Sequence, residues 1–229
     1  MTSLTLNYSE LLLLLRVFAI ASVAIAALLA LPHSYFLQTD LIATWVKYLG
    51  VGITISTLLL GLLARRAWTS AKLERWLGRQ RVHGLWWGTL DTDYGKKDGK
   101  GMDPIAIAFV IRQTYLTVSI QSYTIKQPAK STMENLHADA KTTDTQMSYV
   151  FEMKRTAHGE NKLTVGFGQL VLIDGGSKLV GDYWTNSPTQ GRLHLSLVRR
   201  DCQKINSFEA AEKAAKGAGL LARPHGTEH

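Results

Sequence analysis

Two apolar stretches, residues 11–31 and 41–64, follow one another at the front of this chain, and each holds a single charge, Arg16 in the first and Lys47 in the second. A helix needs about 20 apolar residues to cross the hydrocarbon core of a bilayer, and both stretches are long enough. Residues 1–10 contain no Lys or Arg. The first stretch also exceeds the apolar core of a signal peptide, so an anchor is expected rather than a cleaved leader. The chain is therefore expected to be fixed to a bilayer by a helical hairpin, residues 10–66.

Basic residues near the helix ends set the orientation of such a hairpin. The connection at 32–40 has none, whereas Arg65, Arg66, Lys72, Arg75, Arg79 and Arg81 follow the second stretch. Both termini are thus expected in the cytoplasm. There the single cysteine, Cys202, meets a reducing environment that does not favour disulfides. Most of the formal charge of +8 falls in this basic link, residues 67–81 and the helix end before it. Trp68, Leu73, Trp76 and Leu77 recur there at near-helical spacing, as in a segment lying along a lipid surface. A basic stripe on the rest of the chain, the mark of a DNA or RNA binder, is missing.

From residue 82 to 200 the hydrophobic period changes to two, the mark of half-buried strands. Leu116, Val118 and Ile120 alternate with Tyr115, Thr117, Ser119 and Gln121. Met147, Tyr149, Phe151 and Met153 alternate with Ser148, Glu152 and Lys154, and Leu193, Leu195 and Leu197 share one side of a last run. Turn-forming clusters at 91–101, 156–161, 174–176 and 186–191 separate the runs. Eight strands are expected, at 82–90, 105–111, 114–122, 129–138, 146–155, 162–173, 178–185 and 191–200. Eight antiparallel strands in about 120 residues suit a closed barrel or a sandwich. The remainder, 201–229, is expected as a tail with one short helix, Asn206 serving as its N-cap.

Catalytic signatures are absent. The chain has no HExxH, CxxC, GxSxG or phosphate-cradling loop, and its seven histidines are scattered. The Asp-rich segment at 91–102 fails as a calcium loop, because Gly95, Lys96 and Met102 stand where that loop needs a ligand, a glycine and a glutamate. No enzyme, metal or resident cofactor is expected.

Two segments are richer. In GLWWG, Gly84, Trp86 and Gly88 share one face and Leu85 and Trp87 the other. Trp86 is placed to plug a barrel floor or to meet a ligand, and the GxW pattern is similar to that of lipocalin-type barrels. In the run from Gly181 to Leu195, Tyr183 and Thr185 share a face, and Arg192 follows. An aromatic ring can stack on a base and an arginine can pair with a phosphate.

The order of parts resembles that of the SMODS-associated two-transmembrane, β-strand-rich effectors of bacterial CBASS anti-phage systems: two N-terminal membrane helices, a basic link, a strand-rich domain opening on GLWWG and a YWT…GR hairpin near its end. The resemblance implies a membrane protein with two N-terminal transmembrane α-helices and a cytoplasmic all-β domain, an eight-stranded antiparallel, lipocalin-like barrel. It implies a receptor in the bacterial inner membrane rather than an enzyme. A partner synthase makes a cyclic oligonucleotide, such as a cyclic dinucleotide, and the barrel binds it. The protein then assembles into homo-oligomers and the bilayer fails. Trp86, Arg112, Tyr115, Thr117, Tyr183, Thr185 and Arg192 supply the chemistry such a ligand needs. In the helices, Ser22, Ala26 and Ala30, and Thr57 with Gly61, form small-residue stripes that allow close helix packing. If leucine faces fill the barrel, the ligand must bind at a mouth or cleft. Two other readings use the same fold: a tethered carrier of an apolar molecule, with Phe109, Tyr149, Phe151 and Phe167 lining a cavity, and a membrane scaffold for protein partners.

Overall fold

The computed structural model describes residues 4–38, 40–65, 79–93, 103–138, 144–155, 162–187 and 189–220. The aromatic residues of the basic link, most of the Gly-rich loop at 91–101, the turn at 156–161 and the end of the tail lie outside the described residues. The chain divides into two units, residues 6–77 and residues 1–5 with 78–229.

The first unit is a helical hairpin. Helix α1 runs Tyr8–Leu37 and α2 runs Leu41–Arg65, and both are long and apolar enough to cross a membrane. Helix α1 begins earlier than the apolar pattern because the Asn7 N–H donates to Glu10 Oε2 at 2.9 Å, half of a capping box. It also continues past Pro32, so the connection expected at 32–40 is shorter. Ser22, Ala26 and Ala30 are buried on α1, as are Thr44, Gly52, Ser56 and Ala64 on α2. A side chain at Gly52 would strike the Ser22 carbonyl, so the missing Cβ is what lets the backbones approach. The α1 stripe is therefore spent inside the hairpin. Thr57 and Gly61 are not: Thr57 is exposed and open space surrounds Gly61.

The second unit is a closed barrel of eight antiparallel strands: β1 Gly84–Thr92, β2 Ile105–Gln113, β3 Val118–Thr124, β4 Pro128–Ala138, β5 Thr145–Arg155, β6 Lys162–Ile173, β7 Lys178–Thr185 and β8 Gln190–Arg199. Each strand pairs with the next, and β8 closes on β1 with Leu193 opposite Leu90. Only the first four residues of the expected third strand depart from it, Thr114–Thr117 forming a turn closed by a Thr114 N–H to Thr117 carbonyl bond of 2.8 Å. The period of two turns one face of every strand inward. Trp86, Phe109, Ile111, Ile120, Leu136, Met147, Leu170, Leu179, Leu193 and Leu195 fill the interior. The leucine faces are thus the core, as an eight-stranded barrel permits.

Trp86 closes one end. It is fully buried, its indole N–H donates to the Val82 carbonyl at 2.9 Å, and the Arg200 guanidinium lies 5.7 Å from its ring centre. Arg200 also donates to the carbonyls of Arg81, His83 and Gly176, which ties the chain entering β1, the β6–β7 connection and the exit from β8 into one floor.

Two further pieces cover the outside. Helix α3, Phe208–Gly217, is capped by Ser207, whose hydroxyl accepts the Ala210 N–H at 3.2 Å, and not by Asn206. Its Phe208, Ala211 and Ala215 lie on one stripe and bury Leu85, Trp87, Ala108 and Val110 of β1 and β2. At the floor end, Leu4 bridges Thr117, and the Thr5 N–H donates to the Leu116 carbonyl at 2.9 Å.

Candidate functional site

The barrel's two ends differ chemically. Trp86, Arg200 and their partners fill the floor, and β1, β3, β5 and β7 finish at the other end. On the inward faces there stand Thr92, Ser131, Glu134, Phe151, Thr164, Tyr183 and Thr185. Phe109, Tyr149, Phe151 and Tyr183 form a chain of rings with centres 6.0, 5.9 and 6.5 Å apart, leading from the core to the rim. Gly166 and Gly168 on β6 make this possible. A Cβ at Gly168 would collide with the Tyr149 ring, and one at Gly166 with the Phe151 ring.

Hydroxyls decorate the rings. The Tyr183 hydroxyl donates to Thr92 Oγ1 at 2.8 Å, and Thr185 Oγ1 donates to the Ser187 carbonyl at 2.7 Å. Glu134 is buried and hydrogen-bonded to Ser131, whose hydroxyl also meets the Ile120 carbonyl at 3.1 Å. The buried Thr164 hydroxyl has no partner among the described residues. Burial raises the Tyr183 phenol further above the physiological range, so it stays a neutral hydrogen-bonding group.

Outside the same rim runs an open groove of about 620 Å³ between β1, β8, β7 and β6. Among the described residues it is acidic: Asp91, Asp93 and Asp182 line it with one base, Arg192, which is paired with Asp182 at 3.2 Å. Like charge disfavours a phosphate there.

The seven sequence-derived candidates do not converge. Tyr183, Thr185 and Arg192 gather at the rim, with Arg192 on the outer, acidic side. Arg112 and Thr117 lie at the floor end, in a cavity of about 280 Å³ with His83, Gln113 and Cys202. Arg112 Nη1 donates to Gln121 Oε1 at 2.7 Å and Nη2 to the Ile205 carbonyl at 3.2 Å. At about 3.3 Å per residue the seven-residue β3 alone spans roughly 20 Å, too far for one small ligand to touch both groups. Trp86 and Tyr115 are buried in structural roles. Thr164, Ser131 and Glu134 were missed, and Phe151 was named only as the lining of an apolar cavity. The two inward glycines of β6, opposite two aromatics of β5, are the signal that points to that end.

The chain thus joins two helices long and apolar enough to cross a bilayer to a closed eight-stranded antiparallel barrel, plugged at one end and polar-aromatic at the other. No protein-family model matches the chain. It is similar to CD-NTase-associated protein 15 of Staphylococcus schleiferi, with 28% identity over 156 residues, which cover 68% of this chain and 81% of the relative. That relative carries the association with a CD-NTase in its name, and it bears out the resemblance to the two-transmembrane, β-strand-rich effectors.

Proposed function

We propose that this protein is an anti-phage CBASS effector, a non-enzymatic receptor in the bacterial inner membrane with both termini cytoplasmic. Its barrel binds a cyclic oligonucleotide, of the cyclic dinucleotide class, made by a partner synthase. Binding gathers the transmembrane helices into an oligomer that disrupts the bilayer. The observation that carries this reading is the combination of a CD-NTase-associated relative with a barrel whose single sealed floor leaves an aromatic, hydroxyl-rich end.

A base entering that end meets Phe151 and Tyr183, and stacking on such rings contributes about 1–3 kcal/mol per base in single-strand binders. Thr92, Thr164 and Thr185 offer hydroxyls to base edges or ribose. The packed interior supports this rim reading over a carrier of apolar cargo, since Phe109 and Tyr149 are core residues and Phe167 points outward.

The test is a thermal-shift panel of cyclic di- and trinucleotides against the full chain in mild detergent. One member raises the midpoint saturably, and Tyr183→Ala with Thr164→Val removes the effect. A panel without any shift contradicts the proposal.

A further inference from the structure

The cavity of about 280 Å³ at the floor end lies between the end of β2, the Thr114–Thr117 turn, the start of β3 and the segment that leaves β8. Its lining presents donors. Arg112 is held by two neutral oxygens, Gln121 Oε1 at 2.7 Å and the Ile205 carbonyl at 3.2 Å, and no carboxylate pairs with it among the described residues. The rest of its planar fork is left for a further acceptor. Thr114 Oγ1 accepts the N–H groups of Leu116 and Thr117 at 3.2 and 3.0 Å, which fills its lone pairs. Its own hydrogen therefore goes to Thr117 Oγ1, 2.8 Å away, and the Thr117 hydrogen is left over. Ser119 stands opposite Arg112 in the ladder and adds a second hydroxyl.

The field around the cavity has mainly one sign. The charges that act on His83 and Cys202, two of the lining residues, are Arg81, Arg112, Arg199 and Arg200 against Asp201. Asp201 is engaged in its own loop, its Oδ1 accepting the Gln203 N–H at 3.3 Å. Burial pushes the Cys202 thiol up, so it stays protonated, and its pair with His83 at 3.9 Å is no nucleophile. A set of donors in a cationic field takes an oxyanion, and a guanidinium fork flanked by hydroxyls matches a phosphate.

The position of the cavity selects the source of that phosphate. Thr117, one of its lining residues, bridges Leu4, and α1 begins four positions later at Tyr8, at most about 14 Å of extended chain. Headgroups add about 5–8 Å to each side of the hydrocarbon core. Chain length alone thus keeps the cavity within reach of headgroup phosphates once α1 lies in a bilayer. We infer that this cavity binds the phosphate of an anionic phospholipid, the Arg112 fork meeting its oxygens and Thr117 and Ser119 donating beside it. Lipid charge then holds the floor end of the barrel at the leaflet. The inference rests on the hairpin lying in a bilayer and not on the rim, so a nucleotide panel without any shift contradicts the receptor reading and not this one.

The experiment counts lipids bound to the full chain by native mass spectrometry from a neutral detergent, with phosphatidylglycerol or phosphatidylcholine added. Wild type retains one phosphatidylglycerol saturably, at least tenfold more tightly than phosphatidylcholine. Arg112→Gln weakens that binding at least tenfold. Ser119→Glu keeps Arg112 and its two partners but sets a carboxylate opposite it, and weakens binding as much with an unchanged melting midpoint. This variant decides the matter if Arg112→Gln does not fold. Lys126→Gln, which removes an exposed cation at the other end of β3, leaves binding unchanged. Equal retention of the two lipids overturns the inference, as does phosphatidylglycerol binding that persists in Ser119→Glu. Displacement of the lipid by an equal concentration of inorganic phosphate also overturns it, making a soluble phosphate the occupant.

Discussion

The Arg79 guanidinium reaches across 74 positions of sequence to donate to both the carbonyl and the hydroxyl oxygen of Thr5. It is 1% exposed and lies 5.6 Å from the centre of the Tyr115 ring. Thr5 precedes α1 by three positions, and Arg79 follows the basic link, so the chain is fastened to the barrel both before and after the hairpin. Hydrogen bonds from a buried cation contribute about 1.5–3 kcal/mol. Arg79→Met, which keeps the stem and removes the donors, is expected to cost about 2 kcal/mol. Chemical denaturation of the full chain in detergent measures it, and hydrogen exchange at the Thr5 amide should speed up in parallel.

Trp86 seals the floor by packing, by its bond to Val82 and by the Arg200 contact. Trp86→Ala is expected to destabilise the barrel by about 3–5 kcal/mol. Trp86→Phe should cost less, retaining ring area and losing the N–H. Denaturation midpoints of the two variants, compared with wild type, check the order.

Gly168 and Tyr149 are coupled by space alone. Gly168→Ala forces the ring to move and is expected to cost about 1–3 kcal/mol, as overpacking does. In the double variant with Tyr149→Ala the added methyl meets no ring, so the two changes should be less than additive. A double-mutant cycle on unfolding free energies measures the difference.

His83 is expected to make the barrel acid-sensitive. Burial, then Arg81, Arg200 and Arg112, lowers its pKa below the usual 6.5. The folded state then binds fewer protons than the unfolded one, so the stability is present above about pH 6.5 and is lost as pH falls toward the folded value. Protonation also costs the Nδ1 acceptor that takes the Gln113 N–H at 3.2 Å. His83→Gln, whose amide oxygen can still accept, should flatten the fall in melting midpoint between pH 7 and pH 5 relative to wild type.

How much of this was legible in the sequence depends on range. The strands were readable because alternation is local: Met147, Tyr149 and Phe151 face inward as their period requires. The glycines flanking Trp86 left a plug and a ligand contact both open, and the folded chain shows it packed in the floor against Val82 and Arg200. The site was less legible, because a barrel brings together strand ends far apart in sequence. Arg112 and Arg192 carry the same chemistry, yet one ends up at the floor and the other at the rim. Arg79 read as one more juxtamembrane charge, and only the folded chain reveals Thr5 and Tyr115 beside it.

Dye release from vesicles carrying the full chain tests most directly whether ligand at the barrel acts on the bilayer. Release should begin on addition of the stabilising cyclic nucleotide, saturate with it, and fail in Tyr183→Ala. Intact vesicles with the nucleotide bound, or equal leakage in its absence, would contradict a nucleotide-gated membrane effector.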